Sequence, residues 1–506
     1  MPSWLGASLI ALAAGVSGAD VPLPWVQDGQ LTRQAQEVVS ALRHVEDFGL
    51  AREDFASALA TIDSERASLA DSRLNDLTND AALRLIEQLH RGRVDPRAAG
   101  YALNRQRAPL DTAVALQRLA TTDNALELLA TFEPQSAQYR SLKKALARYR
   151  RMPADLTALP PPGTTAIREG DSYAGAGKLR RLLAEFGDAP APRDDPASET
   201  DYDADLAAAV TQFQLRHALA ADGVLGARTF AVLTLPIAYR VRKIELMMER
   251  WRWLPDITAP AVIVNVPQYM LYALPDPSDT TGGTTVLKIP VIVGQSAKQT
   301  PIFDSTIESV IFRPYWNVPE SIARAELLPS IARDPGYLMR HDMEIVRGEG
   351  DDAQVLPANA ASVAALRAGG TRLRQRPGAN NALGLIKFVS PNPFSVYLHS
   401  TPEARLFERE RRAFSHGCIR VSDPGALAAY LLRHTPGDWN ADAIEAASCG
   451  DKTFAVHLAT PVPVFILYGT VVIDADGAVL FFEDVYGYDQ RLEALLSRSR
   501  RSATRR

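Results

Sequence analysis

Cys418 is one of only two cysteines in a chain of 506 residues. It follows Ser415, His416 and Gly417 in the stretch FSHGCIRV, and Arg420 adds positive charge just beyond it. A second histidine, His399, lies upstream in the run FSVYLHS. Four chemistries fit such a cysteine. Zinc takes three or four ligands, and Cys418, His416 and His399 supply three, but no C-x-x-C or H-x-x-x-H spacing completes the set. A disulfide to Cys449, in EAASCGDKTF, leaves the histidines and Arg420 without a role. A buried packing cysteine does the same. A nucleophile accounts for more of the residues. Its reactive form is the thiolate, and a neighbouring histidine or arginine is expected to lower the thiol pKa. A general base must reach the sulfur. Backbone N–H groups beside a glycine can stabilise an oxyanion.

The elements that must position this set follow from local pattern. As an extended strand, FSVYLHS places Phe394, Val396 and Leu398 on one face and Tyr397 with His399 on the other. Gly417 permits a close approach or a positive φ in the turn before Cys418. From Ala261 onward the period is strand-like, in AVIVNVPQYMLYAL, TTVLKIPVIVG, STIESVIFRPYWNVP and VPVFILYGTVVIDADGAVLFFEDVYG. Asp476-Gly477 signals a hairpin. A helical stretch interrupts the strands, so residues 320–378 read as a lid or flanking subdomain.

The first part of the chain is different. Residues 31–158 read as helices; in DAALRLIEQLHRG, Ala82, Leu85, Ile86 and Leu89 share one face before Gly92. His44 and His90 stand alone there. The proline- and glycine-rich run Ala158–Asp171 marks a boundary, and Gly187–Asp201 a second interruption. After it Leu206, Ala209, Val210 and Phe213 form a helical stripe, followed by an Asp222-Gly223 turn. ERWRWLP ends a further helix, whose tryptophans would line a groove or pack between domains. The formal net charge of −4 gives no reason to expect nucleic acid as a partner. Leu5–Val16 is apolar and precedes Ser17-Gly18-Ala19, which reads as an export signal cut before Asp20. The closing SRSRRSATRR reads as a solvated basic tail.

Two resemblances can now be placed on these residues. SYAGAGKLRRLLAEFGD and AVTQFQLRHALAADGVLGARTFAVL resemble the two halves of a small three-helix peptidoglycan-binding domain, over about residues 166–235. VYLHS followed by FSHGCIRV resembles the catalytic signature of the L,D-transpeptidase family, a histidine, a spacer, then Ser/Thr-His-Gly-Cys. ERWRWLP, VNVPQYMLY, PYWNVPESI and NNALGLIKF are similar to segments of its large Gram-negative periplasmic subgroup.

The resemblance implies a multidomain α+β protein. Residues 1–19 would be a signal peptide, 20–160 a helical scaffold, 161–235 the peptidoglycan-binding-like domain and 236–258 a linker helix. Residues 259–490 would be a mainly-β catalytic domain with a helical lid insertion at 320–378, and 491–506 a basic tail. Cys418 matches the family nucleophile and His399 the general base. Ser400 stands where a backbone carbonyl orients that base. His416 is a structural or pKa-tuning neighbour, and Gly417 with Cys418 supplies the oxyanion region. Arg420, Ser415, Trp316, Asn317 and Tyr397 are the candidate substrate-binding positions.

The implied reaction is acyl transfer from a peptidoglycan tetrapeptide stem to an amine of a second stem, releasing D-Ala and forming a 3→3 cross-link. It takes place in the periplasm without cofactor or metal, and carbapenems acylate the same cysteine. Other cell-wall synthesis proteins would be partners. Water as acceptor would make the enzyme an L,D-carboxypeptidase, and a protein lysine would make it an attachment enzyme. A non-catalytic wall-binding scaffold would not need Cys418, and a zinc peptidase would need metal.

Overall fold

The computed structural model describes residues 25–65, 70–190, 199–258, 260–275, 286–334, 336–350 and 352–503. The export signal, the middle of the 187–201 interruption and the last three residues of the basic tail lie outside the described residues. The chain divides into two compact units, the first taking residues up to 46 with 51–90 and 109–133, the second 47–50, 91–108 and everything from 134.

The first unit is helical: α1 Arg33–Arg43, α2 Ala56–Glu65, α3 Asp71–Arg91, α4 Thr112–Thr121 and α5 Ala125–Phe132. Thr32, Asp111 and Asn124 cap α1, α4 and α5 by accepting the N–H of Ala35, Val114 and Glu127, which satisfies donors that a helix start leaves open. In α3 the expected stripe of Ala82, Leu85, Ile86 and Leu89 is fully buried.

The second unit opens with α6 Ala137–Arg151 and the small helical module α7 Ala176–Phe186, α8 Ala204–Arg216 and α9 Ala227–Leu233. Leu206, Ala209, Val210 and Phe213 of α8 are buried against Leu179, Leu183 and Phe186 of α7. The Gln214 side chain fixes the Asp222-Gly223 turn, donating to the Val224 carbonyl at 3.0 Å and accepting from Gly223 N at 2.8 Å. The hairpin signalled by Asp476-Gly477 forms between Val471–Ile473 and Val479–Phe481. It packs on this module, for Val471, Ile473, Val479 and Phe481 share its core.

Helix α10, Ile237–Trp253, carries the ERWRWLP segment and is buried on most sides. Its tryptophans pack instead of lining a groove: Trp253 meets Tyr101 edge-on at 5.0 Å, and Trp251 is half-buried between two cores. Charged groups are buried with them. Arg250 meets Asp489 at 2.6 Å, and Arg252 meets Glu249 at 3.3 Å. The Glu249 carboxylate also accepts the backbone N–H of Arg93 and of Val94.

The catalytic-type domain is a closed mixed barrel. Its strands are β1 Tyr101–Ala102, β2 Ala261–Asn265, β3 Met270–Leu274, β4 Leu287–Gly294, β5 Ile302–Phe312, β6 Ile386–Val389, β7 Leu398–His399, β8 Ala413–Ser415, β9 Ile419–Val421 and β10 Phe454–Leu467. The order is β6-β7-β9-β4-β3-β2-β10-β5-β1, with β8 beside β4, and pairing of β6 with β5 closes the ring. Strands buried on both sides read as apolar runs, and Val262, Val264, Ile289, Val291 and Val464 all lie in one core.

The insert between β5 and β6 is helical, as expected, but also has a sheet of its own, in the order Gln354–Leu356, Met343–Arg347, Arg372–Gln375, Trp316–Asn317. Helical turns at 320–333, Tyr337–Arg340 and Ala360–Arg367 cover it, around Val318, Leu328, Ile331, Ile345, Leu366 and Leu373. Residues Tyr488–Ala503, which run into the basic tail, are a helix: Tyr488, Leu492 and Leu496 fall on one face and join the barrel core.

Breaking a buried ion pair strands a charge, at a cost of about 3–5 kcal/mol, while exposed pairs are worth about 0–1 kcal/mol. Glu249→Ala should therefore lower stability to urea by about 3–5 kcal/mol. Glu320→Ala, which breaks only the exposed pair with Arg324, should change it by less than about 1 kcal/mol.

Candidate active site

Strands β7 and β9 run parallel, pairing Leu398 with Ile419 and His399 with Arg420. The N–H of Ile419 also donates to the Tyr397 carbonyl at 3.1 Å. This register brings Cys418, one residue before Ile419, to the strand that carries His399. On its other side His399 pairs with Lys387 of β6.

His399 is buried, and its Nδ1 lies 2.5 Å from the Ser400 carbonyl oxygen. A carbonyl only accepts, so Nδ1 carries the proton. Burial drives the imidazole pKa down to about 3, with Arg420 pushing the same way. The ring is therefore neutral at ordinary pH, and Nε2 offers its lone pair.

Ser400 does more than present a carbonyl. Its hydroxyl accepts from Leu385 N at 2.6 Å and Ile386 N at 3.0 Å, and donates to the Leu383 carbonyl at 3.1 Å. Gly384, at φ +63°, leaves room for that hydroxyl: a Cβ there would stand 2.1 Å from Ser400 Oγ.

The turn that leads into Cys418 is fixed from inside. Ser415 is buried; its hydroxyl donates to the Cys418 carbonyl at 2.5 Å and accepts from Gly417 N at 3.1 Å. Gly417 sits at φ +119°, and its carbonyl accepts from Thr300 Oγ1 at 2.8 Å. Ser415 is thus engaged within the turn, and its hydroxyl takes the Gly417 N–H.

Cys418 is half-buried and is not in a disulfide; Cys449 is also free, and exposed. The sequence led us to expect a depressed thiol pKa. Instead burial pushes it up, and the opposing influences of Tyr397, Lys387 and Arg420 do not offset that. The sulfur lies 3.9 Å from the Ser395 carbonyl. Ser395 adopts φ +55°, so the strand expected over FSVYLHS is regular only at Leu398–His399. Phe394 is accordingly exposed, although Val396 and Leu398 are buried as expected. Asn392 holds the bend, accepting from Val396 N at 3.2 Å and donating to the Val396 carbonyl at 2.6 Å.

The other candidates divide into two groups. Tyr397 is at the site: its ring is 5.9 Å from that of His399, burial and then the neighbouring Cys418 push its pKa up, and Lys387 Nζ lies 4.0 Å from its centroid. Arg420 is there too, paired with Glu403. His416 is turned to the insert, with Nε2 2.8 Å from Glu326 Oε1. Trp316 and Asn317 belong to the edge strand of the insert's sheet, where Arg372 binds the Asn317 side chain.

Several residues went unnoticed in the sequence. Thr300, Asn392 and Glu326 lie in no motif. Asn381 lies within the quoted NNALGLIKF, but nothing there marks its burial. Its side chain donates to the Pro314 carbonyl at 3.1 Å and the Arg376 carbonyl at 2.9 Å, and accepts from Leu383 N at 2.8 Å.

Comparison with known proteins matches three regions of the chain. Residues 259–464 match the family described as L,D-transpeptidase catalytic domain, residues 19–146 a scaffold domain, and residues 173–233 a "Putative peptidoglycan binding domain". A Haemophilus influenzae protein named "Putative L,D-transpeptidase" is 32% identical over 251 residues, which is 50% of this chain and 49% of that protein. The chain thus spans about half the length of the curated relative it matches. With a barrel whose parallel strands bring the cysteine segment to the histidine strand, and with these three matched regions, the chain has the architecture of an L,D-transpeptidase-like protein.

Proposed function

We propose that this protein is a periplasmic murein L,D-transpeptidase that forms 3→3 cross-links through Cys418. The observation that carries the reading is the parallel register of β7 and β9, which brings the half-buried Cys418, one residue before β9, to the strand that ends in His399, a histidine of fixed tautomer. With the thiol pKa raised and the imidazole pKa lowered, the resting pair is uncharged. His399 Nε2 takes the thiol proton as the sulfur attacks the carbonyl that joins the L-centre of the diamino acid to the terminal D-Ala. The Cys418 N–H, and the Tyr397 hydroxyl beside the sulfur, face the charge that develops. Collapse of the tetrahedral intermediate breaks the C–N bond. The proton on His399 passes to the departing amine, and D-Ala leaves. A side-chain amine of a second stem then attacks the thioester, His399 takes its proton, and the thiol is regenerated. The module matched at 173–233 would hold the chain near peptidoglycan. The insert over the nucleophile turn would favour the amine over water.

The test is mass spectrometry of products from disaccharide-tetrapeptide, wild type beside Cys418→Ala. A cross-linked dimer that has lost one D-Ala, absent in the variant, is the expected result. Tripeptide alone would identify water as the acceptor, and turnover in the variant would overturn the role of Cys418.

The neutral pair also sets the pH response. Because His399 protonates only near pH 3, kcat/KM should hold between pH 7 and 5, and an acid limb centred at an ordinary histidine pKa would contradict this base. In a Cys449→Ser background, iodoacetamide inactivation should still be accelerating at about pH 9, because burial keeps Cys418 a thiol at lower pH. Ser400→Ala keeps the carbonyl but removes the hydroxyl's three hydrogen bonds. It should cost about 1–3 kcal/mol of stability and lower kcat more than it changes KM.

A further inference from the structure

The insert meets the nucleophile turn through one carboxylate. Glu326 lies on the π-helical turn Ala323–Leu327, a helix form found often at functional sites. Its Oε1 receives Lys298 Nζ at 2.7 Å and His416 Nε2 at 2.8 Å. Both donors stand on the segments that cradle Gly417 and Cys418. His416 is the residue before Gly417. Lys298 belongs to the loop between β4 and β5, and a Cβ at Gly417 would lie 3.5 Å from the Gln299 carbonyl oxygen and 4.0 Å from that of Lys298. Thr300, at the end of the same loop, bonds the Gly417 carbonyl.

The side chains of Lys298, Glu326 and His416 are 42%, 41% and 36% exposed. Water screens such contacts, and pairs of this kind are worth about 0–1 kcal/mol. The hydrogen bonds from Lys298 and His416 hold Glu326 below the usual carboxylate range, so it is ionised at neutral pH. The arrangement is therefore a carboxylate held by an ammonium and an imidazole N–H, weakly enough to be exchanged for another carboxylate that keeps the same two hydrogen bonds.

We propose that Lys298 and His416 form a seat for the terminal carboxylate of the donor peptide, and that Glu326 of the insert occupies this seat until the peptide displaces it. The inference rests on the transpeptidase reading above for the identity of the peptide. In that reaction the donor ends in a free carboxylate one residue beyond the scissile carbonyl, so the group to be seated lies close to the attacking sulfur. Seating it would position the scissile amide and release the insert's contact with the turn in one exchange. Departure of the D-amino acid would empty the seat and let Glu326 return.

The test follows the His416 ring signals by NMR in the full chain titrated with N-acetyl-D-alanine, with N-acetyl-D-alaninamide as the control. In Glu326→Gln, and in Glu326→Ala, the His416 signals should respond at about three- to fivefold lower carboxylate concentration than in wild type. The amide should have no effect, and Lys298→Ala should abolish the response. Equal responses in wild type and both Glu326 variants, or equal responses to acid and amide, would overturn the seat. The readout needs no turnover. A seat that binds the acid in a protein that releases no D-Ala from tetrapeptide would refute the transpeptidase reading alone. A protein that turns over tetrapeptide but whose His416 ignores the acid would refute the seat alone.

Discussion

The site depends on a short parallel ladder, Leu398 with Ile419 and His399 with Arg420. Parallel neighbours cannot be joined by a tight hairpin. The chain between them therefore makes a detour, through the 3₁₀ turn Ala404–Glu408 and β8, before it returns as the nucleophile turn. That detour frees the turn to be shaped by other segments. Thr300 holds Gly417 from the β4–β5 loop, Ser415 ties the turn to itself, and Gly417 takes a backbone angle that L side chains rarely adopt. A one-residue slip in the ladder would send His399 to the opposite face.

Burial then decides the electrostatics. Neighbouring positive charge favours a thiolate, and desolvation favours a thiol. At Cys418 desolvation is the larger influence, as it is at His399. The two groups rest as neutral thiol and neutral imidazole, so in the proposed mechanism the proton would move during attack instead of before it. The same opposition is settled differently in helix α10. There the buried guanidinium groups of Arg250 and Arg252 meet the carboxylates of Asp489 and Glu249. Those pairs join the C-terminal helix and the segment after α3 to the centre of the second unit.

Much of this was legible in the residues. The helical face of α3, the stripe of α8, the Asp476-Gly477 hairpin and the association of His399, Tyr397 and Cys418 follow from periodicity and motif. The missed features share a cause. Glu326, Thr300, Asn381 and Asn392 act through contacts between segments remote in sequence or inside an irregular bend, where no local period exists. The direction of the Cys418 pKa shift was misjudged because a sequence displays a residue's neighbours but not how far water is excluded from it. The C-terminal helix was hidden by its arginines, which outnumber the leucines that bury it, and nothing in the sequence marked Arg250 and Arg252 as partners of Asp489 and Glu249.

Asn381 gives the insert an unusual mechanical footing. Its one amide grips the chain at Pro314, where the insert departs, and at Arg376, where it returns. The two roots are thus clasped together by a single side chain. Beyond them is Leu383, whose N–H Asn381 binds and whose carbonyl receives the Ser400 hydroxyl. One amide therefore ties both roots of the insert to the same short backbone stretch that the residue after His399 holds.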